Sequence, residues 1–260
     1  MLTEQRYELI LELLKQKKSV TVSEVKELLH TSESTVRRDI TALHNAGKLV
    51  KVFGGAIAAE NTFTPQELTV AQKIEVNKKE KIRIAQYAAS LIQTDDFVYL
   101  DAGTTTGYML DYLTGKKATF VTNAVAHAQL LAARDMRVFL IGGELKGSTE
   151  AVVGNQAMEV LHQYHFTKGF FGTNGITQKA GFTTPDANEA LIKKTALGQC
   201  RKGYILSDAS KFDYVSSVTF AALRDAVILT DQKPEGYQDC DNILEIKVDK
   251  EEFFDCSVIE

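Results

Sequence analysis

The stretch Thr31–Ala56, "TSESTVRRDITALHNAGKLVKVFGGA", decides how the N-terminal part of the chain is read. Val36, Ile40 and Leu43 recur at helical spacing, and Gly47 fits the cap that ends such a helix. The opposite face carries Ser32, Glu33, Ser34, Thr35, Arg37 and Arg38. "KLVKVFGGAIA" then alternates and closes on Gly54-Gly55, the pattern of a two-stranded ribbon. Upstream, "TEQRYELILELLKQKKS" predicts a helix with Thr3 as N-cap and Tyr7, Ile10, Leu11 and Leu14 inward. "TVSEVKELLH" predicts a second, capped by Thr21 or Ser23, with Val22, Val25, Leu28 and Leu29 inward. Three short helices and a ribbon over residues 1–58 predict a winged helix-turn-helix.

Charge separates this head from the rest. The 260 residues carry a net charge of -4, residues 1–58 are +2, and the remainder is therefore -6. A basic head on an acidic body points to a polyanion as the head's partner. Hydroxyls and guanidinium groups on the first turns of a helix are the groups that reach phosphates and base edges in a major groove. Arg37-Arg38 alone would equally fit a solvated helix face. The order of elements around them favours double-stranded DNA, with Ser32, Ser34, Thr35, Arg37 and Arg38 on the reading face. Lys48 and Lys51 would follow the flanking backbone, which the Gly54-Gly55 turn lets the ribbon approach. Asp39 would be repelled by DNA and is expected to pair with an arginine inside the fold.

The remaining composition is that of an ordinary cytoplasmic globular protein, 44% hydrophobic and 25% charged. No run reaches the ~18 apolar residues of a membrane helix, and the charged N-terminus does not read as a signal peptide. Cys200, Cys240 and Cys256 are odd in number and scattered, so reduced thiols are expected, with no zinc site and no cofactor. His127, His162 and His165 read as structural or surface residues.

Residues 59–76, interrupted by Pro65, read as a linker, and residues 77–260 as the second domain. "DFVYLDAGTTT", "ATFVTNA", "RVFLIGGE", "GFFGTNGI", "KGYILSDAS" and "DAVILTD" are apolar runs that alternate with helical segments. They predict an α/β domain with a mostly parallel sheet covered on both faces. The turn after "VYLDAG" brings the hydroxyls of Thr104, Thr105 and Thr106 to a helix start, with Gly103 allowing a tight bend, which suits an anion. It is neither a Walker A loop nor a dinucleotide fingerprint. Asn123, Gly142-Gly143, Asn174-Gly175, Asp208 and Lys211 also follow strands, and such loops gather at one sheet edge. Lys211 could neutralise a phosphate, and Asp208 and Asn123 could hold hydroxyls. Asp208 equally fits a helix N-cap.

Ser32, Thr35-Val36-Arg37-Arg38-Asp39-Ile40 and the wing from Gly47 to Ala56 together resemble the DNA-binding domain of the DeoR family of bacterial sugar-operon repressors. The resemblance continues through Asp101-x-Gly103-Thr104-Thr105, Thr122-Asn123, Gly142-Gly143, Asn174-Gly175-Ile176, Glu189 and Asp208-x-Ser210-Lys211-Phe212. It implies a sensor domain that is Rossmann-like, similar to ribose-5-phosphate isomerase, and takes a phosphorylated sugar as effector. It also implies that Glu189 and Lys211 lie near that pocket. Within the family the chain resembles the fructose type first and the lactose/tagatose type second, so fructose 1-phosphate and then tagatose 6-phosphate are the expected effectors. The expected function is operator binding relieved by that effector, from a homodimer or homotetramer reading two half-sites. A phosphosugar isomerase with an autoregulatory DNA-binding head is the other reading, because a carboxylate beside a lysine could move a proton.

Overall fold

The computed structural model describes residues 2–17, 19–46, 48–52, 54–58 and 70–247. They fall into two compact units, one formed by the residues before 65 with 213–215 and one by residues 70–212 and 216–247. The expected linker lies mostly outside the described residues, as does the Gly47 cap.

The first unit runs α1 (Thr3–Lys17), β1 (Ser19–Thr21), α2 (Val22–Leu29), α3 (Glu33–Asn45), β2 (Leu49–Val52) and β3 (Gly55–Ala58). Thr21 starts α2 through a reciprocal capping box with Glu24, which satisfies backbone donors that the helix cannot. His30, in the left-handed region at φ 47°, ends α2. Ser32 then accepts from the Thr35 amide and starts α3. Ile10, Leu14, Val25, Leu29, Val36, Ile40, Leu43 and Leu49 make the core. Leu28 departs from expectation: it is 42% exposed, because one helical step of about 100° turns it away from the face that Leu29 buries. The ribbon also gains a strand. β1 pairs antiparallel with β3, so the sheet order is β1-β3-β2. Three residues are too few to show alternation, which is why β1 was not legible. It also gives Gly55 a purpose within the fold: a Cβ there would lie 2.0 Å from the Val20 carbonyl oxygen.

The second unit begins with helices α4 (Val70–Ile74) and α5 (Lys78–Ser90). Then come β4 (Phe97–Leu100), α6 (Thr104–Met109), β5 (Thr119–Thr122), α7 (Val125–Ala133) and β6 (Val138–Leu140). A hairpin of β7 (Glu144–Lys146) and β8 (Ala151–Val153) leads to α8 (Asn155–His162) and β9 (Lys168–Gly172). β10 (Gly175–Thr177), β11 (Gly181–Thr184), α9 (Ala187–Gly198), β12 (Gly203–Leu206), β13 (Val218–Ala221), β14 (Val227–Thr230) and β15 (Ile243–Glu245) complete it.

Seven strands form one sheet in the order β15-β14-β12-β9-β4-β5-β6, and every neighbouring pair is parallel. Successive side chains leave a strand on opposite faces, and the core divides accordingly. Tyr99, Val121, Phe171, Ile205 and Ile228 pack on one side with residues of α8 and α9. Val98, Leu100, Phe120, Phe170, Tyr204 and Leu229 pack on the other with residues of α5, α6 and α7. Both faces of the central strands are therefore buried, and these strands read as continuous apolar runs; the edge strands β6 and β15 leave Phe139, Leu140 and Leu244 exposed. β10, β11 and β13 form a small antiparallel sheet beside this layer.

Packing around β9 leaves no room for a further methyl. A Cβ on Gly169 would lie 2.4 Å from Cys200 Sγ and 2.7 Å from the Phe171 ring. Gly169→Ala is expected to destabilise the second unit by about 1–3 kcal/mol. Gly198→Ala, where a Cβ meets nothing within 4 Å, is expected to be neutral or slightly stabilising. Paired urea melts of the two variants check this.

Candidate functional site

Two surfaces carry the chemistry, one on each unit. On the first, α3 buries Val36 and Ile40 and leaves Ser34, Arg37 and Arg38 exposed. Ser32 Oγ caps the helix and lies 2.8 Å from Ser34 Oγ and 2.9 Å from Thr35 Oγ1. Arg37 reaches Glu33 at 3.5 Å, with both side chains more than half solvent-accessible or close to it. Such an exposed pair is worth little and yields readily to a stronger anion. Lys48 and Lys51 are exposed at β2, and Lys51 Nζ donates to Thr41 Oγ1 at 2.9 Å, which sets the strand against the helix. Asp39 is withdrawn from this face. It is 2% exposed and accepts from Arg6 Nε at 2.7 Å and Nη2 at 3.0 Å, joining α3 to α1.

On the second unit the site lies where the sheet reverses its order. From β4 the chain steps outward through β5 to β6, then returns beside β4 with β9 and steps the other way through β12, β14 and β15. Loops leaving β4 and β9 therefore part in opposite directions and open a crevice at their C-terminal ends, the place where open α/β sheets bind ligands. A cleft opens there.

Gly103, Thr104, Thr105, Asn174, Glu189, Asp208 and Lys211 line this cleft. Asp208 also caps the short turn at Ala209–Lys211 by accepting from the Ser210 amide, so both readings of that residue hold together. Glu189, 7% exposed, accepts from Lys146 Nζ at 2.9 Å and from Thr149 Oγ1. The β7–β8 hairpin is thereby fastened over α9.

Four expected residues lie behind the wall, and their bonds explain why. Asn123, 2% exposed, accepts from the Ala102 amide at 2.8 Å and donates to Val152 O, tying β5 to the β4 loop. Thr106, fully buried, donates to the carbonyls of Asp101 and Gly103 at 2.7 and 2.8 Å. Gly143, at φ 152°, admits the Val153 carbonyl, which a Cβ would meet at 2.6 Å. Asp101, 1% exposed, ion-pairs with Lys193 and accepts from the Gly172 amide at 3.0 Å. Burial pushes its carboxyl up despite Lys193. Gly103 has an extended backbone, φ −177°, so no special turn requires glycine there; a Cβ would crowd Thr106 Oγ1 at 3.2 Å.

Sequence reasoning missed Lys73, Lys81 and Lys193, which line the cleft with Lys211. Lys81 lies in a charged helix segment, and Glu189 and Lys193 are four apart on α9, so both read as solvent-facing helix charges. Burial, with Lys211 and Lys73 nearby, pushes the Lys81 ammonium down to about 8, while Asp208 opposes the shift. His127 is a buried neutral side chain, pushed down to about 4 by burial, and belongs to the packing.

Lys193→Met is expected to cost about 3–5 kcal/mol, because Asp101 would be left buried without a counter-charge. The loss has a pH signature. Without Lys193 the folded carboxyl binds its proton more tightly than the unfolded one, so stability falls as pH rises above the unfolded value of about 4. The variant should melt closer to wild type at about pH 5.5 than at pH 8.

Comparison with known proteins places these two surfaces. Residues 6–62 match the DeoR-like helix-turn-helix domain and residues 76–232 the DeoR C-terminal sensor domain. The HTH-type transcriptional regulator FruR of Bacillus subtilis is 40% identical over 90% of this chain and 93% of its own length. The lactose phosphotransferase system repressor of Streptococcus mutans is 34% identical over 85% of this chain and 88% of its own, and that of Staphylococcus aureus 31% over 93% and 98%. Ribose 5-phosphate isomerase A from Methanocaldococcus jannaschii superposes with a TM-score of 0.40 at 13% identity, over 52% of this chain and 55% of that one, too weak a likeness to bear on the chemistry. No helix among the described residues is long and apolar enough to cross a membrane. With both domain types present in order and relatives aligned over nearly its whole length, the chain belongs to the DeoR family of DNA-binding transcriptional regulators.

Proposed function

We propose that the protein represses a sugar-utilisation operon and leaves its operator when a phosphorylated sugar enters the cleft of the second unit. The observation that carries this is the charge of that cleft. Lys73, Lys81 and Lys211 converge on it, beside a Lys193 already paired with Asp101, although residues 59–260 carry -6 overall. Lysines held close together repel one another and are stabilised by a multiply charged anion. A phosphate monoester supplies that charge at one end. The remaining wall, with Thr149, Asn174 and Glu189, supplies donors and acceptors suited to sugar hydroxyls.

Fructose 1-phosphate is the first effector to test and tagatose 6-phosphate the second. An effector releases DNA only by favouring the free protein over the bound one. A dimer or tetramer supplies two reading helices for two half-sites, which raises operator affinity through effective concentration. The isomerase reading is separated by incubation with ribose 5-phosphate and with both effectors: turnover of any of them would establish an enzyme.

On the head, Arg37→Ala and Arg38→Ala are expected to weaken operator binding. Loss of a bidentate base contact costs about 1–3 kcal/mol and relaxes sequence preference. Loss of a phosphate contact weakens all sequences alike and makes the salt slope shallower by about one. Gel-shift titrations at several salt concentrations check both. Unchanged binding in both variants would remove α3 as the reading helix.

On the body, Thr105→Val and Lys211→Met are expected to bind operator normally but to need roughly ten-fold or more effector for release, since a charge-assisted hydrogen bond is worth about 1.5–3 kcal/mol. Anisotropy of labelled operator, titrated with fructose 1-phosphate, reads the midpoint. In the wild type this midpoint should rise above about pH 8 as Lys81 loses its proton, and below about pH 6 as the phosphate gains one. Release by unphosphorylated fructose at equal concentration would defeat the phosphate assignment.

A further inference from the structure

We infer that α4 is the element that reports cleft occupancy to the operator-binding head, with Tyr108 and Asn77 as the positioning residues that hold it in place. This rests on the proposed reading that the cleft takes the effector.

α4 follows the head in chain order, across residues 59–69, and it also forms part of the cleft wall through Val70 and Lys73. Its C-terminal end and the turn that joins it to α5 are gripped by three different elements, each of which also presents a polar group to the cleft. α6 opens with Thr104 and Thr105 on the wall, and one turn later Tyr108 OH donates to Ile74 O at 3.0 Å. α5 presents Lys81, whose Nζ donates to Lys73 O. The β12 loop presents Asp208, which accepts from Asn77 Nδ2 at 2.8 Å, and Ser210 Oγ lies 3.1 Å from the same nitrogen. Asn77 has the left-handed conformation, φ 50°, so the chain turns sharply between α4 and α5 at the residue that makes this bond.

A bound anion therefore competes for the groups that fix α4. A phosphate at Lys81 draws its ammonium from the Lys73 carbonyl, and a ligand hydroxyl at Asp208 draws that carboxylate from Asn77. The first loosens the end of α4 and the second the turn that follows it. A ligand with these contacts has a differential affinity for the two settings of α4, which is what coupling between distant sites requires.

The test needs no ligand at its first step. Tyr108→Phe removes only a hydroxyl, from a residue that does not line the cleft. Asn77→Gly removes the amide and suits the left-handed backbone. The full-length double variant and wild type are compared for binding to a labelled duplex enriched by wild type from a random-sequence pool. With thermal melts matched, the double variant should bind about five-fold or more weakly in the absence of any sugar phosphate. Hydrogen exchange supplies a second readout. Amides of residues 70–77 should lose protection in the double variant, and in wild type on adding fructose 1-phosphate. Unchanged or tighter operator binding by the double variant, or unchanged protection of residues 70–77 in it, overturns the role of α4. Weakened binding in the double variant, with wild type indifferent to every sugar phosphate, supports α4 as the coupling element and fails the effector reading instead.

Discussion

The buried ion pair between Asp101 and Lys193 is the constraint on which the second unit turns. It spans the point where the sheet reverses, joining the end of β4 to α9, while Asp101 also receives the Gly172 amide at the end of β9. The two central strands diverge in connection from there. Removing two charges from water is expensive, and their attraction compensates only when the remaining hydrogen bonds are made. Lys193 Nζ completes the set by donating to Gly172 O at 3.2 Å. The geometry of the cleft floor follows from this one satisfied pair.

Around that floor the charge is arranged against the protein's average. Lysines are brought close in a partly desolvated cleft of a body that is acidic overall. Lys81 faces that cleft while holding the Lys73 carbonyl. On the head the logic is reversed. Asp39, beside Arg37 and Arg38 on α3, is buried against Arg6, so it is withdrawn from the outer face that carries the arginines and hydroxyls.

Much of this was legible from pattern. The helical stripe Val36, Ile40, Leu43 and the apolar strand runs follow from burial on one or both faces, which is a local, periodic requirement. Gly103, Thr104, Thr105, Asn174, Asp208 and Lys211 were placed at the cleft because each follows a parallel strand, and strand ends share an edge. The same rule also collected Asn123, Thr106 and Gly143, which instead pin the loops from behind. Whether a polar group after a strand faces the ligand or the loop's own backbone depends on its hydrogen-bond partners, and those partners come from distant segments.

The sequence by itself determined the two-unit organisation, the helix-turn-helix head and the parallel sheet, because periodicity and strand–helix alternation are properties of neighbours along the chain. It also carried the family resemblance, through motifs whose residues are close in order. Only the tertiary structure decided which charges the cleft uses. Lys193 and Glu189 are spaced like an ordinary surface pair, yet each is bound elsewhere, Lys193 to Asp101 and Glu189 to Lys146 and Thr149. The free energy of a buried charge is set by what surrounds it in space, and at this site the surroundings come from β4, the β7–β8 hairpin and α9, segments that no local pattern brings together.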